Sequence, residues 1–364
     1  MKQLNRWRRL VVSLAVIAVV GMAGLGLARA DDPLKVGFVY VSPIGDAGWT
    51  YQHDLARKAI EAEFGDKIKT SFVESVPEGA DAERVIRQLA ADGNKLIFTT
   101  SFGYMNPTLK VAKQFPNVTF AHSSGYKRSK NVSTYLARFY EGRYLAGIIA
   151  GKMTKSNTVG YVAAFPIPEV VRGINAFARG LRSVNPDGQV RVVWVSSWYD
   201  PGKEREAAET LIAQGADVLM QHTDSTAVVQ AAQDRSVYAI GYHSDMAKYG
   251  PKAHLTASTH VWNKFYIEKV KAVLAGTAVS DDTWGGIGAG MVEMSPLGDM
   301  VPEDVRKLVE AAKADIASGK LHPFAGPVLD NTGQTKVPAG ENISDKGLLT
   351  MQYFVEGVQG ELPK

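Results

Sequence analysis

The chain has 364 residues, 45% of them hydrophobic, which is enough to build two lobes with separate cores. It contains no cysteine, which excludes disulfides, thiol chemistry, cysteine-bound zinc and iron–sulfur centres. The formal charge of +4 gives no case for nucleic-acid binding: with the five basic residues of segment 1–30 set aside, 36 Lys and Arg face 37 Asp and Glu.

The first thirty residues read as a secretory leader, outside the fold. Lys2, Arg6, Arg8 and Arg9 make a basic start, 10–27 is apolar with scattered glycines, and Ala28-Arg29-Ala30 fits a small-x-small cleavage pattern. Cleavage near Ala30 predicts a soluble periplasmic protein, and the lack of a processing-site cysteine predicts that it is not a lipoprotein. The stretch 34–41 is then a continuous apolar run, the pattern of a strand buried on both faces. It breaks at Ser42-Pro43-Ile44-Gly45-Asp46-Ala47-Gly48, after which helical spacing resumes through Tyr51, Leu55 and Ile60. Strand, Gly-rich turn and helix place Asp46 and Trp49 at the carboxyl edge of a parallel sheet, where open α/β sheets bind ligands. A core role for Trp49 and an N-cap role for Asp46 are the competing assignments.

Strand-like runs follow at 69–74, 95–99 and 118–122, then at 158–163, 189–196, 217–221 and 237–241. Helical patterns lie between them at 52–64, 80–92, 107–114, 141–153, 169–184, 202–214 and 225–234, two of them opening at or beside Pro107 and Pro168. This is β-α-β-α written twice, so two parallel sheets covered by helices are predicted, each half a doubly wound lobe. Beyond Gly241 the alternation loosens. A strand is predicted at 255–260, a helix at 262–274, a short strand at 291–294 and a helix at 301–318. Segment 323–342 is expected to be a surface excursion, and 344–360 a last helix.

No catalytic motif stands out: the seven histidines are scattered, with no zinc-protease spacing, nucleophile elbow or phosphate loop. No enzyme activity, cofactor or metal is expected. What recurs is an aromatic residue just past a strand: Trp49, Phe102 and Trp198. Three such rings drawn from both halves would give stacking faces for a planar heterocycle, each worth about 1–3 kcal/mol by analogy with base stacking. Edge hydrogen bonds are expected from Asp224, after the 217–221 run, and from Tyr242 and Asp245, after 237–241. A helix N-cap is the plainer role for Asp224, and a solvated turn the plainer role for Asp245.

Several stretches together resemble the basic membrane protein (Bmp/Med-type) family of periplasmic ABC-transporter substrate-binding proteins for purine nucleosides and related compounds. They are Gly45-Asp46-Ala47-Gly48-Trp49, Tyr140-Glu141-Gly142-Arg143-Tyr144-Leu145-Ala146-Gly147, Val159-Gly160-Tyr161-Val162, Asn185-Pro186-Asp187, Trp198-Tyr199-Asp200-Pro201-Gly202-Lys203, Gln214-Gly215-Ala216-Asp217-Val218-Leu219 and Val301-Pro302-Glu303-Asp304-Val305. The resemblance implies a type I periplasmic binding protein, two Rossmann-like lobes joined by three hinge crossovers near 134–139, 257–262 and 288–292. Lobe 1 is expected at 31–136 plus 262–289, and lobe 2 at 137–261 plus 290–364. It also implies a monomer with a small heterocyclic ligand and an ABC permease of the inner membrane as its partner. Against the nucleoside binders, His243 stands where an acidic residue is usual, Thr223-Asp224-Ser225-Thr226 lacks glycines, and Thr50 replaces an asparagine. These departures point to a free purine base, adenine-like, with a nucleoside or a flavin-like ring as alternatives. A ligand-sensing subunit and a hydrolase on the same fold are the alternatives to transport.

Overall fold

The computed structural model describes residues 32–363; the predicted leader lies outside them. Fifteen strands and ten α-helices follow in the described chain. The first half runs β1 (Leu34–Val39), α1 (Trp49–Phe64), β2 (Ile68–Val73), α2 (Ala80–Ala91), β3 (Leu96–Thr99), α3 (Met105–Ala112), β4 (Thr119–Ser123) and β5 (Val132–Ala137). The second runs α4 (Phe139–Met153), β6 (Thr158–Ala163), α5 (Pro168–Val184), β7 (Gln189–Trp194), α6 (Pro201–Ala213), β8 (Val218–His222), α7 (Ala227–Asp234), β9 (Tyr238–His243) and β10 (His254–His260). The remainder is α8 (Asn263–Leu274), β11 (Asp282–Gly285), β12 (Val292–Met294), α9 (Glu303–Ala317), β13 (Val328–Leu329), β14 (Thr335–Val337), α10 (Asp345–Leu349) and β15 (Val358–Gln359).

Two large sheets result. The first has the order β11-β5-β4-β3-β1-β2 and is parallel throughout. The second has the order β12-β10-β9-β8-β6-β7-β15, with only β12 antiparallel. Each carries a 2-1-3-4-5 winding, so the strand order reverses beside β1 in one sheet and beside β6 in the other. In such sheets that reversal is where ligands bind. The chain crosses between sheets at Arg138, again after His260, and a third time between Gly285 and Val292. This is the type I periplasmic binding fold.

The central strands are apolar on both faces because helices cover both. One buried cluster joins α1 and α8 on the first sheet to α6 and α7 on the second; two others fill the opposite faces. Full burial of each large apolar side chain contributes about 1.5–3 kcal/mol. The helices α4 and α5 approach closely at glycines: a Cβ on Gly147 would sit 2.7 Å from the Leu181 backbone nitrogen.

Three sequence expectations change. Val132–Ala137 is a full strand, and Asp282–Gly285 becomes one only by pairing with it, Asp282 opposite Thr134. The surface excursion contains the β13–β14 hairpin. The last helix shrinks to Asp345–Leu349, because Met351, Phe354, Val355 and Val358 are buried against the second sheet's helices in turns and a short strand. This C-terminal strap reaches the hinge. Asp345 receives both Nη groups of Arg138 at 2.8 Å, and the Arg138 guanidinium lies 4.2 Å above the Trp284 ring.

Candidate functional site

Every side chain of the site stands at or beyond the carboxyl end of a parallel strand, where it can face the other sheet. Trp49 follows β1, Phe102 and Ser101 follow β3, and Ser124 follows β4. From the second sheet come Ile167 and Glu169 after β6, Trp198 after β7, Asp224 after β8 and Tyr242 from the end of β9. Together with Val41 they line one cleft. Ser75, Ser124, Ser196 and His243 adopt positive φ (52–65°) at or just after strand ends, though none is glycine. Such strained backbone collects where loops are held in place for function.

The first loop and the β8 loop grip each other across the cleft. Gly48 has φ +93°, and a Cβ there would run into the Asp224 carbonyl, so only glycine permits the approach. Its N–H donates to Ser244 Oγ at 2.8 Å, and the Trp49 N–H donates to Asp224 Oδ1 at 3.3 Å. Ser42 donates its hydroxyl to Asp224 Oδ2 at 3.0 Å and sits 2.6 Å from Thr50 Oγ1. Asp224 in turn donates its backbone N–H to the Trp198 carbonyl at 2.9 Å, fixing that loop. It is not a helix N-cap; Thr226 precedes α7. Burial pushes the Asp224 carboxyl up to about 8, against the pull of Ser42 and with a further push from Glu204.

Trp49 holds two positions at once. One part of it faces the cleft, while its Nε1 donates to the Thr100 carbonyl at 2.6 Å. The rings of His243 and His260 lie 5.3 Å from it and Phe139 5.9 Å, deep between the lobes. Burial lowers His53, His243 and His260 well below the ordinary imidazole range, which favours their neutral forms. Trp198 packs on Phe165 at 5.0 Å, and its Nε1 has no hydrogen-bond partner among the described residues. Asp46 and Asp245 do not reach the cleft: both are exposed, and Asp245 Oδ1 accepts from the Ala247 N–H at 2.9 Å in its own turn.

Sequence reasoning missed Glu169. It reads as an acidic residue in a helix's first turn, a common dipole partner. The available signal was its place after β6, the same carboxyl edge that singled out Trp198. Burial raises its carboxyl above the usual range, while Arg172, the Ser124 hydroxyl and Arg143 pull it back. Arg143, fully buried with no hydrogen-bond partner among the described residues, lies 4.9 Å over the Tyr242 ring. Among the described residues no group of three or more His, Asp or Glu is placed to hold a metal, and no helix is long and apolar enough to cross a membrane.

The pattern of the Bmp family, described as ABC transporter substrate-binding protein, PnrA-like, matches residues 34–320. A purine-binding protein of Brucella abortus (strain 2308) is 53% identical over 96% of this chain and 100% of its own. A Haloferax volcanii ABC transporter protein, whose name provisionally gives glucose as its ligand, is 40% identical over 91% of this chain and 82% of its own. An ABC transporter solute-binding protein from Conexibacter woesei superposes with a TM-score of 0.63 at 25% identity, covering 79% of this chain and 98% of that one. The chain belongs to the Bmp family of ABC-transporter substrate-binding proteins.

Proposed function

We propose that this Bmp-family protein is the periplasmic receptor of an ABC importer and captures a free purine base, adenine-like, by aromatic stacking and carboxylate hydrogen bonds between its lobes. The observation that carries the reading is the convergence of Trp49, Phe102 and Trp198, from strand ends of both sheets, on one cleft beside the buried carboxyls. The Brucella relative's purine-binding name points the same way. Sheet membership supports a division into lobe 1 at 31–136 plus 262–289 and lobe 2 at 137–261 plus 290–364, closing about the crossovers. A monomer released from its leader near Ala30 then presents the closed form to an inner-membrane permease.

Native mass spectrometry of the freshly purified protein, followed by denaturing release, tests this. A released mass equal to a purine base is expected. A nucleoside, flavin or hexose mass would overturn the free-base reading. An empty protein goes to a thermal-shift screen in which adenine must raise the melting temperature, with adenine recovered unaltered after incubation.

A further inference from the structure

Two carboxyls border the cleft, and they are not equivalent. Both oxygens of Asp224 already accept hydrogen bonds, one from Ser42 and one from the Trp49 backbone, so this group serves closure. Glu169 is different. It is only 8% exposed, it lines the same cleft, and its Oε2 has no hydrogen-bond partner among the described residues. Its other oxygen lies 3.8 Å from His222 Nε2, beyond hydrogen-bond reach.

The cations nearby do not satisfy that oxygen. Arg172, one turn along α5, gives Nη1 to the Leu348 carbonyl at 3.3 Å, and its guanidinium carbon lies 5.2 Å from the Trp284 ring centre. Arg143 is held over the ring of Tyr242. A buried acceptor left unpaired costs about 1–3 kcal/mol, and native chains rarely carry that cost without a use for the group. Pro168, which opens α5, and Ile167 before it fix where Glu169 points, so the oxygen is presented to whatever enters the cleft.

A carboxylate oxygen accepts; its partner must donate. A free purine offers an imidazole N–H, and that proton is the one a nucleoside has exchanged for its sugar. Resting on the purine reading above, we infer that Glu169 accepts the imidazole N–H of the bound base and thereby selects the free base against its N9-substituted forms. A substituent on that nitrogen removes the donor and leaves the carboxyl oxygen unpaired.

The test is calorimetric titration of the ligand-free protein and of Glu169→Gln with adenine, 9-methyladenine and adenosine. The parent is expected to prefer adenine over 9-methyladenine by about 10–100-fold, the worth of one charge-assisted hydrogen bond. Glu169→Gln keeps the shape and exchanges the anionic acceptor for an amide, so it is expected to lose most of that factor for adenine and change little for 9-methyladenine. Three results overturn the assignment: equal affinity of the parent for adenine and 9-methyladenine, equal losses for both ligands in the variant, or tighter binding of adenosine than adenine. Failure of adenine to bind the parent at all overturns the adenine-like reading, and the assignment with it. Adenine binding without discrimination overturns the assignment alone.

Discussion

Replacing Asp224 by asparagine tests whether burial, more than its hydrogen bonds, governs this carboxyl. Burial pushes it in the folded chain up to about 8, from an ordinary value of 3.8. The folded value is the raised one, so the stability this group confers is complete below about pH 3.8 and drains away as pH climbs toward 8. Over that window the unfolded chain has released the proton and the folded chain still holds it. Each pH unit therefore costs about 1.4 kcal/mol, or about 4 kcal/mol between pH 5 and pH 8. Asparagine keeps the shape and one acceptor for Ser42 or the Trp49 N–H, but it does not ionise. Urea unfolding of ligand-free parent and Asp224→Asn at the two pH values, followed by tryptophan fluorescence, reads the difference directly. The parent should lose about 4 kcal/mol more than the variant on going from pH 5 to pH 8. Agreement of the two slopes within about 1 kcal/mol would mean that Asp224 is ionised in the native cleft, and the desolvation argument would fail.

Two further outcomes are expected. Trp198→Ala should weaken ligand binding at least roughly tenfold, one stacked face, while the melting temperature stays nearly unchanged because the residue is only half-buried. A large drop in melting temperature would instead assign Trp198 to packing. Gly48→Ala places a Cβ against the Asp224 carbonyl at a backbone angle of +93°, so it should impair closing more than folding. Affinity should fall about tenfold or more, with no contraction in small-angle scattering on adding ligand; parent-like affinity and contraction would show that closure does not need this approach.

The parallel strands were legible because strands covered on both faces are written as unbroken apolar runs, and the helices between them keep their own period. The carboxyl-edge rule then found Trp49, Phe102, Trp198, Asp224 and Tyr242 as cleft residues from local pattern alone. It over-reached at Asp46 and Asp245, which share the loops but face solvent, since a turn's residues point in several directions and sequence does not say which points inward. It missed β11, whose four residues acquire a strand conformation only from pairing with β5. It extended the last helix too far, because the buried positions of the C-terminal strap pack on helices distant in sequence. The division of labour between Asp224 and Glu169 belongs to the tertiary structure entirely. Asp224 meets Ser42 across 182 residues of chain, and Glu169 Oε2 has no hydrogen-bond partner among the described residues although Arg143, Arg172 and Ser124 lie near it. Periodicity is set by neighbours along the backbone. Which polar atom ends up paired and which is left for a ligand is set by what two separately wound sheets bring together when they meet.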